Sequence, residues 1–196
     1  MAQINDQLLN ECASNNRKSQ SELYRLSFNL LLSIAFRYHK NKEDAMAVLN
    51  LGFLKILLGL EGFLKKNNSK VYKAWSSRIM INTIIDEYRK NKKRNEIISE
   101  MPDFPQETKL SNSDYNTIEN NVQAEFLQNL LNELPKSQKT VFNLFAIDGY
   151  KHKEIAKMLS ISVGNSKWCL SIARKRLQGM INKDLLVKTK NHWNEQ

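Results

Sequence analysis

Hydrophobic residues recur at helical spacing along two stretches of the chain, and a polar stretch without periodicity separates them. The first stretch predicts a helix from an N-cap at Ser21 to the break at Asn41-Lys42. A second helix closes at Gly59 and Gly62, and a third covers about 72–93. The apolar positions of these three helices are Leu23, Leu26, Leu30 and Ile34; Ala45, Val48, Leu49, Phe53, Ile56 and Leu57; and Tyr72, Trp75, Ile79, Ile84 and Tyr88.

The second stretch predicts four shorter helices. A helical pattern from Val122 stops at Pro135, and Ser137 then caps a helix that ends at Asp148-Gly149. Two more amphipathic helices follow, joined by a break at 160–163. So short a turn is typical of a helix-turn-helix, whose second helix can enter the major groove of DNA. The apolar stripes of this pair are Ile155, Ala156 and Leu159, and then Leu170, Ala173, Leu177 and Ile181.

The polar stretch between the two helical regions has the composition of a linker. Residues 95–121 contain Pro102, Pro105 and the polar run 111–114, and their length fits a domain boundary better than an internal loop. The sequence therefore predicts an all-α protein: two small helical domains joined by a flexible linker, the C-terminal one a helix-turn-helix. The expected boundaries are an N-terminal extension 1–20, a first domain 21–95, an acidic linker 96–121, a second domain 122–182 and a tail 183–196.

The outer face of the last predicted helix has an unusual composition. Trp168, Ser171 and Lys175 lie opposite its apolar stripe, with Lys167 and Arg174 at the flanks. Cations beside one large flat side chain suit a surface that meets phosphates and base edges. The alternative is that Trp168 packs on a neighbouring helix and that the cations form an ordinary solvated face.

The composition excludes several classes of function. No uncharged apolar run reaches the ~18 residues of a membrane span, and the most apolar segment, 51–60, is interpreted as a buried core helix. Cys12 and Cys169 are far apart and the three histidines are scattered, so no metal site or disulfide framework is predicted. No base or nucleophile accompanies the adjacent Asp86-Glu87. We expect a cytoplasmic protein that is not an enzyme and needs no cofactor.

The net charge of +10 is distributed in blocks. Residues 1–94 carry +9, residues 95–122 carry −5, and residues 123–196 carry +6. The run 89–94 holds five cations among six residues, which exceeds what is needed to complement a helix dipole. Two basic blocks flanking an acidic connector indicate two separate contacts with nucleic acid.

With these parts in place, the sequence resembles the bacterial RNA polymerase sigma factors, specifically the compact two-domain extracytoplasmic-function group. Residues 73–94, KAWSSRIMINTIIDEYRKNKKR, look like the promoter-melting helix of that family. Residues 41–56, NKEDAMAVLNLGFLKI, are similar to the helix that docks on the polymerase clamp. Residues 131–177 match the family's reader of the minus-thirty-five element. The resemblance covers about residues 20–182.

The resemblance also implies which residues form the sites. Asn82 matches the residue that takes a flipped-out base of the minus-ten element, and an amide suits an extruded base edge. The basic loop 61–71 matches the segment that forms the pocket for this base. The sets expected are Lys167, Trp168, Ser171, Arg174 and Lys175 for the minus-thirty-five element; Arg78, Asn82, Thr83, Arg89 and Lys93 for the minus-ten element; and Val48, Asn50, Leu51, Phe53 and Leu54 for docking on core polymerase.

The sequence departs from the family pattern at several of these positions. Ala47 and Leu51 replace acidic residues that are common in the docking helix, and Asn50 holds the place of the usual glutamine. Ser160 replaces the turn glycine of the helix-turn-helix. Trp168 is larger than the usual small residue, which predicts an unusual promoter sequence or an altered helix tilt.

The resemblance implies an alternative RNA polymerase sigma factor that directs promoter recognition and transcription initiation. Its expected partners are core RNA polymerase and promoter DNA, with no cofactor and no membrane insertion. The linker is long enough to permit an anti-sigma factor to hold the two domains together. Two alternatives stay open. The first is a helix-turn-helix regulator that acts without polymerase, which would give no role to the predicted helix 72–93 and its basic end. The second is a protein-interaction module on the same scaffold, which is favoured only by Ala47 and Leu51.

Overall fold

The computed structural model describes residues 3–98 and 122–193, with side-chain surroundings over 3–91 and 126–182. These residues are helical without a strand, which confirms the predicted fold class, and they form two compact units. The first unit contains α1 (Asp6–Ala13), α2 (Arg17–Phe36), α3 (Lys42–Leu64), a 3-10 turn (Ser69–Val71) and α4 (Tyr72–Ile98). The second contains α5 (Val122–Asn132), α6 (Lys136–Phe142), a π-helical turn (Asn143–Ile147), α7 (His152–Leu159) and α8 (Val163–Trp193).

The core of the first unit lies where α2, α3 and α4 pack on one another. Large apolar side chains from all three helices are fully buried there: Leu23, Leu31, Leu49, Ile56 and Met80. The helices α3 and α4 approach closely at Gly52, where an added Cβ would lie 2.6 Å from Sδ of Met80. The glycine therefore leaves room for the buried side chain of Met80, which would have to shift if residue 52 carried a Cβ.

A buried hydroxyl pair links α2 to the start of α4. Oη of Tyr72 lies 3.1 Å from Oγ of Ser27, and both side chains are buried. Burial raises the pKa of Tyr72 to about 12, so the phenol stays protonated and can share this hydrogen bond. Each hydroxyl satisfies the other in the core, which avoids the cost of an unpaired buried polar group.

The N-terminal stretch belongs to the first unit rather than standing outside it. Helix α1 packs against α2 and α3 and buries Leu9 and Cys12. Asn16, not the predicted Ser21, caps α2, and its side chain accepts from the backbone N–H groups of Lys18 and Ser19. The first domain therefore begins before the predicted boundary at residue 21.

Helix α3 continues through both glycines that were expected to end it. The helix is long and apolar enough to cross a membrane by length and composition alone. However, one face of α3 is buried in the first unit, with eight buried residues between Ala45 and Phe63. Nζ of Lys55 also lies 3.2 Å from Oδ2 of Asp86 on α4. The interpretation of this segment as a core helix therefore fits the packing.

The second unit packs α5, α6 and α7 against α8. Its buried cluster contains Leu131, Leu134, Ala173 and Leu177. Helix α6 begins at Lys136, directly after Pro135 and without a side-chain cap, so the predicted cap at Ser137 is wrong. The expected end at Asp148-Gly149 is confirmed, since Gly149 has a φ of 76°. Helix α8 reaches Trp193 and enters the predicted tail, and the predicted linker lies outside the described residues from 99 onward.

Candidate functional site

The turn between α7 and α8 is built by two serines. Ser160 ends α7 in the left-handed region, with φ 53° and ψ 52°, and its N–H donates to the carbonyl of Ala156. Ser162 then caps α8, because its Oγ accepts from the backbone N–H of Asn165 at 3.0 Å. At the other end of α7, Glu154 reaches back to accept from the N–H of Lys151 at 2.7 Å. These contacts fix where the second helix begins.

The outward face of α8 carries every residue predicted to contact the minus-thirty-five element. Leu170, Ala173 and Leu177 are buried on the inner face, so the opposite side of the helix points away from the unit. Trp168 is 58% exposed, which excludes the alternative that it packs on a neighbouring helix of this unit. The predicted residues that are exposed on this side are Lys167, Trp168, Ser171, Arg174 and Lys175.

A chain of three contacts joins this face to the preceding helix and turn. Nδ1 of His152 on α7 lies 2.9 Å from Oγ of Ser166, which is buried on α8. The imidazole also stacks on the ring of Phe145, with centroids 4.5 Å apart and planes 22° apart. The guanidinium of Arg174 lies 5.7 Å from the centroid of the same ring, within the range of a cation–π contact. The π-helical turn therefore helps to orient one of the predicted phosphate-binding cations.

The electrostatic surroundings keep His152 uncharged. Partial burial of the ring lowers the pKa of His152 below its ordinary 6.5, and the positive charges of Lys167 and Arg174 lower the pKa further. The imidazole is consequently neutral at pH 7, and the cations around it form a positive surface to which His152 adds no charge.

The exposed side of α4 carries only part of the predicted minus-ten set. Arg78 and Asn82 are exposed, and Arg89 is half-buried. Thr83 is only 1% exposed, and its hydroxyl donates to the carbonyl of Ile79 at 2.8 Å. Thr83 is therefore a core residue and the prediction of a DNA contact there is wrong, because one residue along a helix turns the side chain by about 100°. Lys93 lies on α4 beyond the residues whose side chains are described.

The basic loop before α4 is held from two directions. The carboxylate of Asp6 accepts from the N–H of Ser69 at 2.6 Å, which joins the loop to the start of α1. Asn68 caps the short 3-10 turn by accepting from the N–H of Lys70 at 3.1 Å. On the other side, the ring of Phe63 stacks on Trp75 at 4.3 Å. Sequence analysis missed Asp6, since no local pattern signals a contact 63 residues away.

Helix α3 separates the predicted docking residues into two groups. Asn50, Leu51 and Leu54 are exposed, whereas Val48 and Phe53 are buried in the core. The prediction of a docking role for these two residues is wrong, because both side chains are buried within the first unit and do not reach solvent. Tyr24 Oη donates to Oδ1 of Asn50 at 2.8 Å and holds the amide in place.

The exposed part of α3 is an apolar stripe. Leu51, Leu54 and Leu58 follow one another at three- and four-residue steps and are 46%, 52% and 77% exposed. Ala47 lies on the same face and is also exposed. Leu58 was missed in the sequence analysis, although it continues the spacing of Leu51 and Leu54 by one turn. We call these four residues the α3 stripe.

The described residues offer no group of three metal-binding side chains. Both cysteines are buried, and burial together with the charge of Glu11 raises the pKa of Cys12 to about 11. Burial also raises the pKa of Cys169. Both thiols are therefore protonated at neutral pH, and a protonated thiol is a poor nucleophile and a poor metal ligand.

Two family models match the chain and together cover more than half of it. The model described as Sigma-70 region 2 matches residues 23–94, and the model described as Sigma-70, region 4 matches residues 126–177. The first match runs from within α2 to within α4, and the second contains α7 and the first part of α8.

Curated relatives and solved structures are similar over most of the chain. RNA polymerase sigma factor SigV of Bacillus subtilis is 28% identical over 151 residues, which are 77% of this chain and 84% of that protein. The ECF RNA polymerase sigma factor SigM of the same organism is 25% identical over 166 residues, which are 83% of this chain and 94% of that protein. Among solved structures, RpoE in complex with the anti-sigma factor NepR from Bartonella quintana is 20% identical with a TM-score of 0.49, covering 83% of this chain and 96% of that one. CnrH in complex with the cytosolic domain of CnrY is 20% identical with a TM-score of 0.46, and the match covers 91% of this chain and 97% of that one.

Proposed function

Because the chain belongs to the sigma-70 family of RNA polymerase sigma factors, we propose that its two units divide promoter recognition between them. The protein is an alternative sigma factor of the extracytoplasmic-function group and directs promoter recognition and transcription initiation. It binds core RNA polymerase and promoter DNA. The first unit docks on the polymerase and opens the minus-ten element, and the second unit reads the minus-thirty-five element as duplex.

The observation that carries this proposal is the exposed face of α8. An exposed tryptophan with cations beside it, opposite a buried apolar stripe, suits insertion into the major groove. Lys167, Trp168 and Ser171 face the base edges, while Arg174 and Lys175 contact phosphates. If the unit makes ~6 phosphate contacts, its affinity for duplex should fall with salt at a log–log slope of about −5.

In the first unit, Asn82 takes an extruded base of the minus-ten element. Its exposed amide can both donate to and accept from a base edge, and exposed Arg78 lies one turn away on α4. Arg89, which is half-buried, and Lys93 bind the phosphates next to this base. The loop that Asp6 and Asn68 hold forms the pocket for the extruded base.

The α3 stripe, with Asn50 beside it, docks on core polymerase. A continuous apolar face on an otherwise amphipathic helix is the usual sign of a protein contact. Ala47 and Leu51 stand here at positions where acidic residues are common in the family, so this contact depends on burial of apolar area more than on charge. The polymerase surface that it meets is therefore apolar as well.

Members of this family initiate transcription without being enzymes themselves. We propose that this chain likewise performs no covalent chemistry and needs no cofactor or metal, and that it acts in the cytoplasm, where core polymerase is. Regulation by an anti-sigma factor is a further proposal, and it rests on family membership alone.

Two assays with purified core polymerase test the proposal. Run-off transcription on the region upstream of the chain's own gene should give a discrete transcript only when chain and core are both present. A gel shift on the same DNA should require core polymerase. A shift of equal strength by the chain alone, without any transcript, would instead support a regulator that acts without polymerase.

A further inference from the structure

We propose that Trp168 selects thymine at one position of the minus-thirty-five element. The inference rests on the proposed function of α8 and adds the identity of a base to it. It starts from an exposed indole that the fold of the second unit does not use. Trp168 is 58% exposed, and no side chain within the described part of the chain stacks on it or hydrogen-bonds to it.

The position of Trp168 on α8 places the indole where a base edge would lie. The helix begins at Val163, so Trp168 is in its second turn, and residues near the start of a recognition helix are the ones that reach base edges. Ser171 and Lys175 continue the same face, and Lys167 and Arg174 stand at one side of it. Phosphate contacts by these cations would fix how far the indole enters the groove.

The chemistry of the indole matches one base better than the other three. Tryptophan offers an apolar surface and a single N–H donor, and it has no acceptor. In the major groove, thymine presents an O4 acceptor next to a C5-methyl group. Guanine presents acceptors but no methyl, cytosine presents an amino donor, and adenine presents an amino donor beside N7. Thymine alone offers both an acceptor for the indole N–H and an apolar group for its ring.

The orientation of the neighbouring side chains supports a defined pose for the indole. The hydrogen bond between His152 and Ser166 joins the helix two residues before Trp168 to α7. The cation–π contact to Phe145 restrains Arg174, which lies six residues after Trp168 on α8. A recognition helix held on both sides of Trp168 can present the indole at a constant depth, which selection of one base requires.

The test begins with holoenzyme assembled from full-length chain and core polymerase of the same organism. Templates with a randomised 40-base-pair upstream region are transcribed, and the templates that give transcripts are sequenced. We expect the wild type to select thymine at one upstream position and Trp168→Ala to lose that preference alone. Leu127→Ala is the matched control, because Leu127 is 43% exposed on α5 of the same unit. Holoenzyme with Leu127→Ala should select the same upstream sequence as the wild type.

Modified bases then separate the two parts of the contact. Uracil at that position keeps O4 and removes the methyl, which should weaken wild-type holoenzyme binding about fourfold, the value for burial of one methyl group. 5-Methylcytosine opposite guanine keeps the methyl and replaces O4 by an amino donor. Trp168→Phe should lose the discrimination between thymine and 5-methylcytosine and keep that between thymine and uracil.

The outcomes distinguish this inference from the function it rests on. If wild-type holoenzyme selects no upstream sequence at all, the proposed role of α8 fails. If it selects an upstream sequence that Trp168→Ala leaves unchanged, or if uracil substitution has no effect at any selected thymine, the role of Trp168 is overturned. An indole that contacts a polymerase subunit would give that second result, together with weaker core binding by Trp168→Ala.

Discussion

The imidazole of His152 lies 2.9 Å from the hydroxyl of Ser166, and this hydrogen bond joins the two helices of the DNA-reading motif. Ser166 lies two residues before Trp168 on α8, so the contact that joins the two helices also positions the helix that carries the proposed reading face. The stability of the second unit and the reading of DNA should therefore respond together when this contact is changed.

The first prediction concerns pH. The pKa of His152 is lowered in the folded chain, so below its ordinary 6.5 the unfolded chain binds the proton more readily than the folded one. The free energy of unfolding of the second unit should therefore fall as the pH drops below 6.5. His152→Asn cannot titrate and should not share this fall. Urea unfolding of both proteins at several pH values checks this, and parallel curves would contradict it.

The second prediction concerns the turn between α7 and α8. Ser160 adopts φ 53°, which costs a residue with a Cβ about 1–2 kcal/mol. Ser160→Gly should raise the free energy of unfolding by about 0.5–1 kcal/mol, since the more flexible unfolded chain offsets part of the gain. Ser162→Ala removes the cap of α8 and should lower it by about 1 kcal/mol. A destabilised Ser160→Gly protein would show that the turn is not strained.

The third prediction compares two glycines of α3. Gly52→Ala would bring a Cβ within 2.6 Å of Met80 Sδ and should destabilise the first unit by about 1–3 kcal/mol. An added Cβ at Gly62 meets open space, so Gly62→Ala should stabilise the helix by about 0.5–1 kcal/mol. Thermal unfolding of both variants beside the wild type gives the comparison. If both variants changed the free energy of unfolding of the first unit equally, α3 and α4 would not approach closely at Gly52.

The fourth prediction concerns the α3 stripe. Leu54 is 52% exposed, so Leu54→Glu should leave the fold intact. It should weaken binding to core polymerase at least tenfold (about 1.4 kcal/mol), because a carboxylate would be buried in an apolar contact. Val71→Glu is the control, since Val71 is similarly exposed but lies outside the stripe. Competition for core polymerase against another sigma factor measures both, and unchanged binding by Leu54→Glu would remove the stripe from the interface.

Salt adds a second measurement on the same surface. An apolar contact is screened little by ions, so the contribution of Leu54 to core binding should persist from low to high salt. If the loss caused by Leu54→Glu disappears at high salt, the partner surface is charged rather than apolar, and the proposed chemistry of this contact is wrong.

Helix periodicity was sufficient to predict the fold class and which face of α8 is exposed. Leu170, Ala173 and Leu177 repeat at three- and four-residue steps, and a stripe so regular leaves only one orientation for Trp168 on the opposite side. The same periodicity separates Thr83 from the exposed Asn82. One residue along α4 turns the side chain by about 100°, which points Thr83 into the core.

The features that sequence patterns did not predict depend on contacts between segments that are distant in the chain. Gly59 was interpreted as a helix end, but an added Cβ there would lie 3.2 Å from the Trp75 ring, so the glycine serves packing between α3 and α4. Helix α1 is short and polar, and only its contacts with α2 and α3 make it part of the domain. Likewise, Asn16 and Ser21 are both suitable caps by residue type, and burial of Ser19 and Leu23 on α2 favours the earlier start.

The proposal that the two units bind different promoter elements is tested most directly by two measurements on the holoenzyme–promoter complex. Permanganate reactivity of promoter thymines reports DNA opening, and protection of the upstream element reports duplex binding. Asn82→Ala should abolish the reactivity near the start site and leave upstream protection unchanged. Thr83→Val, which replaces a hydroxyl that is hydrogen-bonded within α4 by a methyl group, should behave as wild type in both. Equal loss of opening and upstream protection in Asn82→Ala, or unchanged opening, would contradict the account.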